Sequence, residues 1–163
     1  YLRSTADDAD VEVTVSEVRP DGKEMYVQSG WLRASLRALA DTATELRPTK
    51  TFTEADAAPL PEGSWELARV EMMAFGHPFR AGSKIRISID TPGNSRAEWK
   101  FDLKDYPADT VVAVAHDAAA PSSVVLPLLS GLAAQGSLPV CPSLRGQPCR
   151  DTPVIANTAS TLP

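Results

Sequence analysis

The segment "SKIRISID", residues 83–90, alternates apolar and polar side chains along its whole length. Successive side chains of a β-strand point to opposite faces, so this period of two predicts a half-buried strand. We expect Ile85, Ile87 and Ile89 to face inward, with Lys84 and Arg86 facing outward.

Similar short apolar segments flank this strand at fairly even spacing. Residues 10–18, "DVEVTVSEV", share its period until Val18 breaks the phase. After them, "RPDGKE" predicts a turn into a return strand over 25–38, of which 32–39 would also fit a helical period. Gly30 within that strand indicates a bulge or a close backbone approach. Further strands are predicted over 64–75, 97–103, 110–117 and 122–129, and a long loop over 41–63 with a short strand at 50–52. The pattern lacks βαβ alternation and predicts an all-β fold, an antiparallel sandwich or barrel.

Length and charge restrict the class of protein. The chain has 163 residues, which is about one domain, and a net charge of −5 with both signs mixed. The sequence has no stripe of basic residues, which argues against nucleic acid as a partner. No apolar run reaches the ~18 residues of a membrane span. The first residues, "YLRSTADDADVEV", do not resemble a signal peptide. They resemble a chain already inside a strand, so we expect a domain excised from a longer protein.

The sequence does not predict a catalytic site. The G-x-S-x-G turn of α/β-hydrolases does not occur, and His116 and Asp117 are adjacent, which places them on opposite faces of a strand. His77 with Asp90 or Asp117 remains open geometrically but has no candidate serine. We therefore predict no catalytic and no cofactor-binding residues.

Binding chemistry leaves alternatives open. The two histidines lack the spacing of a metal site, so no metal ligands are predicted. The acidic run at 7–10 fits a solvated turn better than a Ca²⁺ site. Trp31, Trp65 and Trp99 are either core and interface residues or a platform for sugars, which makes a carbohydrate-binding module the alternative function. His77 is either a turn histidine bonded to backbone or a contact to a neighbouring domain.

The only two cysteines, Cys141 and Cys149, lie in "VCPSLRGQPCR". A disulfide closing this Pro- and Gly-rich loop competes with two free thiols or half of a metal site. The disulfide is favoured because no histidine lies nearby and nothing in the segment needs a thiol. It would favour a secreted or periplasmic location, which the sequence otherwise leaves unknown.

Three motifs in order carry a family resemblance. They are an acidic segment, a strand, "PDG" and a "G-x-L-R-A" return strand; then "H-x-F-x-x-G-x-x-I-R"; then "H-x-x-x-x-P-S-x-V-x-L-P". The matching positions are Asp10, Val18, Pro20–Gly22, Gly30, Leu32–Ala34, His77, Phe79, Gly82, Ile85, Arg86, His116, Pro121, Ser122, Val124, Leu126 and Pro127. Together they resemble the C-terminal domain of the X-Pro dipeptidyl-peptidase and cocaine-esterase-like serine hydrolases. Ser83 departs from the pattern, since the family usually has histidine there.

The resemblance implies a galactose-binding-like jelly-roll sandwich over residues 1–130, followed by an irregular tail over 131–163. Such a domain follows an α/β-hydrolase domain that carries the catalytic triad, so the fragment itself would be non-catalytic. Its implied role is to pack on that catalytic domain and to help form the wall of the substrate entrance or the contact of a homo-oligomer. The full-length activity implied is cleavage of Xaa-Pro dipeptides or hydrolysis of esters or acylated amines. The candidate interface residues are His77, Phe79, Trp31, Trp65 and His116.

Overall fold

A computed structural model describes residues 1–93, 103–141 and 149–152. Its strands are β1 (Leu2–Ser4), β2 (Asp10–Val18), β3 (Lys23–Arg33), β4 (Lys84–Asp90), β5 (Val112–Val114) and β6 (Cys149–Asp151). Short 3₁₀ turns occur at Ala34–Leu36 and Glu54–Asp56. One antiparallel sheet has the order β4-β2-β3-β6, and β1 pairs with β5 in a second, two-stranded sheet. The all-β prediction is confirmed, while the full jelly-roll order stays a prediction.

The β2–β3 hairpin is the centre of the larger sheet. Its turn at Pro20–Gly22 forms because Pro20 presets φ and Gly22 adopts a φ of +77°. The backbone N–H of Arg19 donates to the carbonyl of Lys23 at 2.8 Å and closes the turn. A register shift between Val15 and Ser16 marks a bulge against β3.

Strand β4 pairs antiparallel with β2, as the alternation over 83–90 predicts. The expected inward orientation of its isoleucines is wrong in part, because Ile85 and Ile89 are 44% and 46% exposed. Arg86 is half-buried instead, because its Nη1 donates to Oε2 of Glu24 at 2.8 Å. Period-2 alternation determines which residues share a face, but it does not determine which face becomes covered.

The connection between β3 and β4 covers part of the sheet. Leu2 and Glu66 exchange backbone hydrogen bonds of 3.0 and 2.8 Å, and the carbonyl of Glu71 lies over Gly30. A Cβ at Gly30 would lie 2.2 Å from the Glu71 oxygen, so the predicted close backbone approach is confirmed. The core beneath consists of Leu2, Ala9, Val11, Ala34 and Leu60, with Val13 and Ala68 packed against it.

Several other predicted strands are shorter than expected or absent. Residues 64–75 form only the Leu2–Glu66 bridge, and 50–52 only a bridge between Leu39 and Lys50. Residues 110–117 contribute the three-residue β5, whereas 122–129 are not a strand. The strand predicted over 97–103 lies outside the described residues except for its last position. Within the described ranges, no helix has the length and apolarity to cross a bilayer.

Candidate domain interface and the Glu17 cluster

The buried carboxylate of Glu17 in β2 bonds to two side chains of the "H-x-F-x-x-G-x-x-I-R" motif, His77 and Ser83. Its side chain is 1% exposed, and its Oε2 lies 2.8 Å from Nε2 of His77. Its Oε1 accepts a 2.6 Å hydrogen bond from the hydroxyl of Ser83. The ring of Phe79 contacts His77 edge-on at 4.8 Å between centroids. We call Glu17, His77, Phe79 and Ser83 the Glu17 cluster.

The loop sequence "GHPFRAGS" places these groups. Gly82 adopts a φ of +84° and lies against Pro20. A Cβ at this position would lie 3.2 Å from the proline ring. The N–H of Ser83 donates to the carbonyl of Arg80 at 3.0 Å and completes a tight turn before β4. The loop therefore packs on the β2–β3 turn and directs His77 and Ser83 toward Glu17.

The hydrogen bonds of the Glu17 cluster order the loop and do not have the arrangement of a catalytic triad. Ser83 and His77 each bond to a different oxygen of Glu17, whereas a nucleophilic serine must bond to its histidine base. Because buried carboxylates need hydrogen-bond partners, both donors stabilise the folded loop. The partner of His77 Nε2 is the side chain of Glu17 and not backbone, while a contact of His77 with a neighbouring domain stays a prediction.

Two further carboxylates are paired with arginines. Glu24, 2% exposed, accepts from Arg86 at 2.8 Å and from two nitrogens of Arg150 at 3.2 Å each. Burial alone would raise the pKa of Glu24, but the two guanidinium groups outweigh it and lower the pKa below its usual value. Asp10 accepts from Arg33 at 2.7 and 3.1 Å, and these bonds likewise outweigh burial and lower its pKa.

The acidic segment at 7–10 is occupied by protein partners. Asp8 accepts the backbone N–H of Ser35 at 2.7 Å, and Asp7 pairs with Lys104 at 2.7 Å. Asp10 binds Arg33, its partner across the β2–β3 ladder. Across the described ranges, no group of three or more histidines, cysteines or acidic residues is arranged to hold a metal ion.

The candidate interface residues are dispersed over the molecule. Trp31 is half-buried in β3, His116 is exposed beyond β5, and Trp65 is 36% exposed beside β1. Trp31 belongs to the larger sheet and Trp65 to the connection between β3 and β4, and Trp99 lies outside the described residues. The predicted disulfide between Cys141 and Cys149 is present.

Exposed side chains form a partly apolar surface on one face of β1, and the sequence analysis named only one of them, Trp65. Trp65 lies under the guanidinium of Arg3, which is 4.8 Å from the ring centroid. Leu67, two positions along the chain from Trp65, is 44% exposed. Val112 pairs with Ser4, which faces the other side of β1 from Arg3, so Val112 does not belong to this surface. We call Arg3, Trp65 and Leu67 the β1 surface.

Residues 1–125 match the family described as the X-Pro dipeptidyl-peptidase C-terminal non-catalytic domain. The chain belongs to this family. The match accounts for the order of the three motifs and for the sheets built on β1 to β5. It ends before the segment that carries the cystine and β6.

Two curated relatives that the chain matches are much longer than the chain. The chain is 35% identical over 94 residues to "Putative serine esterase Mb1866c" of Mycobacterium bovis and to "Putative serine esterase MT1883" of Mycobacterium tuberculosis. In each case the match covers 55% of this chain and 15% of the relative. No solved structure matches the chain.

Proposed function

We propose that this chain is the accessory domain of a serine hydrolase and packs on the α/β-hydrolase domain of the same parent chain, where it helps wall the substrate entrance. Membership in a family described as non-catalytic and C-terminal supports this proposal. The names of the two mycobacterial relatives support a serine esterase as the parent, and the family description leaves Xaa-Pro dipeptides as the competing substrate class.

The observation that carries the docking proposal is the β1 surface. It combines an aromatic ring, an arginine and an exposed leucine, and aromatic and arginine side chains are enriched in the cores of protein interfaces. We therefore assign the contact with the catalytic domain to this surface.

Two matched variants of the parent enzyme test this proposal. Leu67→Asp places a charge on the β1 surface, and Leu46→Asp places the same charge on an equally apolar but unrelated position that is 59% exposed. Fully burying a leucine is worth about 1.5–3 kcal/mol, and about half of Leu67 is already covered, so we expect Leu67→Asp to weaken docking at least about threefold. The measurements are kcat/KM on a p-nitrophenyl ester and on Ala-Pro-p-nitroanilide, together with protease cleavage between the domains.

The expected result is lower kcat/KM and faster interdomain cleavage in Leu67→Asp, with Leu46→Asp close to the unmodified enzyme. Equal behaviour of the two variants would contradict docking through the β1 surface. The isolated chain should hydrolyse neither substrate, and turnover by it that a serine-directed inhibitor abolishes would contradict the accessory role itself.

A further inference from the structure

The cystine segment lies beyond the residues that the family match covers, yet it completes the larger sheet. Strand β6 pairs with β3 in the register Lys23–Asp151, Glu24–Arg150 and Met25–Cys149. The backbone N–H of Thr152 extends the contact by donating to the carbonyl of Gly22 at 3.0 Å. Lys23 already accepts from Arg19 on the β2 side, and hydrogen-bond directions alternate along an antiparallel strand. Glu24 is therefore the residue of β3 whose backbone groups face β6, and without β6 they would be unpaired in the described part of the sheet.

The disulfide joins two points that are anchored on the same turn. On one side, the carbonyl of Pro139 accepts a 2.8 Å hydrogen bond from Arg19, which is 6% exposed and leads into the β2–β3 turn. On the other side, Cys149 begins β6, which pairs with β3 just after that turn. The Cys141–Cys149 bond therefore closes an eight-residue separation between two neighbouring anchors.

We propose that this segment is a redox-controlled strap: the disulfide keeps β6 on the edge of β3, and a dithiol reductant opens that edge. In the reaction the dithiol is oxidised to its own disulfide, while the sulfurs of Cys141 and Cys149 each gain one electron and one proton. The remaining contacts of β6 are then its short ladder, the Arg150–Glu24 pair and the exposed Lys23–Asp151 pair.

The size of the effect follows from the loop that the bond closes. Cross-linking residues about eight apart restricts the undocked chain, and the chain-entropy relation gives a change of roughly 60-fold in the docking equilibrium. The amide proton of Glu24, which faces β6, should therefore exchange up to about 60-fold faster after reduction, whereas those of Lys23 and Met25 face β2. Those at Val13 and Val15 in the centre of the sheet should be unchanged.

Hydrogen exchange measured by mass spectrometry on this chain tests the strap. The samples are the oxidised chain, the chain reduced with dithiothreitol, and a Cys141→Ser, Cys149→Ser double variant without reductant. The control is Asp151→Ala, which removes only an exposed ion pair of β6 and should change exchange by no more than about fivefold.

We expect the reduced chain and the double variant to show the same local acceleration at the amide of Glu24. Unchanged exchange there after reduction would overturn the proposal, because the other contacts alone would then hold β6. Equal acceleration throughout β2 would also overturn it, since the disulfide would then stabilise the whole domain. Reduction of the already folded chain decides the matter even where the double variant fails to fold.

Discussion

His77→Ala is the substitution that most directly perturbs the Glu17 cluster. It leaves Oε2 of Glu17 without its donor at a position where the carboxylate is 1% exposed. A hydrogen bond to a charged group contributes about 1.5–3 kcal/mol, and we expect a loss of stability in that range. With a urea m-value of about 2 kcal/mol/M, the unfolding midpoint should fall by about 1 M.

The assay is urea unfolding of this chain followed by tryptophan fluorescence, and His116→Ala is the matched control. His116 is exposed, so its replacement should stay within about 0.5 kcal/mol of the unmodified chain. In a Glu17→Gln background the side chain at position 17 carries no charge, and the cost of His77→Ala should shrink. A cost below 0.5 kcal/mol, or the same cost in both backgrounds, would refute the reasoning.

Two further predictions concern charge and backbone packing. The pKa values of Asp10 and Glu24 are held below their ordinary values of 3.8 and 4.5, so both carboxylates contribute stability above those values. Urea midpoints should therefore decline as the pH falls from about 5 to 3, and Glu24→Gln should flatten that decline; an unchanged slope would contradict it. Gly30→Ala should cost about 1–3 kcal/mol, because its Cβ would collide with the backbone oxygen of Glu71. Gly76→Ala meets no atom within 4 Å and is the control; equal thermal midpoints for the two would argue against the covering segment.

Local patterning predicted the parts of the fold in which backbone and side chains agree. The alternation at 10–18 and 83–90 predicted β2 and β4 nearly to their observed ends. The turn at Pro20–Gly22 predicted β3, but the return strand expected over 25–38 ends at Arg33, after which a 3₁₀ turn begins. The same reasoning was wrong for 64–75, because apolar residues there cover the sheet as an extended layer without pairing along their length. It was wrong for 122–129 as well, where Leu128 and Leu129 are 80% and 84% exposed.

The Glu17 cluster was predicted only in part. His77 and Ser83 stood out in the second motif, but their common partner lies 60 and 66 residues earlier in sequence. A glutamate at the end of a regular strand has no local pattern that marks it as buried. Ser83, the departure from the family pattern, supplies the hydroxyl that satisfies the second oxygen of Glu17.

The strap and the β1 surface were predicted least. Pairing of β6 with β3 joins positions more than 120 residues apart, and only the disulfide gave a signal for that segment. Exposure of Trp65 and Leu67 depends on which side of β1 remains uncovered, and that is decided by tertiary contacts.

Side-chain protection in the parent enzyme tests the central claim of domain docking most directly. Hydroxyl-radical labelling of Trp65 and Leu67, read by mass spectrometry, is compared between the isolated chain and the full-length parent, with exposed Leu46 as the internal reference. Docking through the β1 surface predicts that labelling of Trp65 and Leu67 drops several-fold in the parent while Leu46 is unchanged. Equal labelling of Trp65 and Leu67 in both proteins would contradict it.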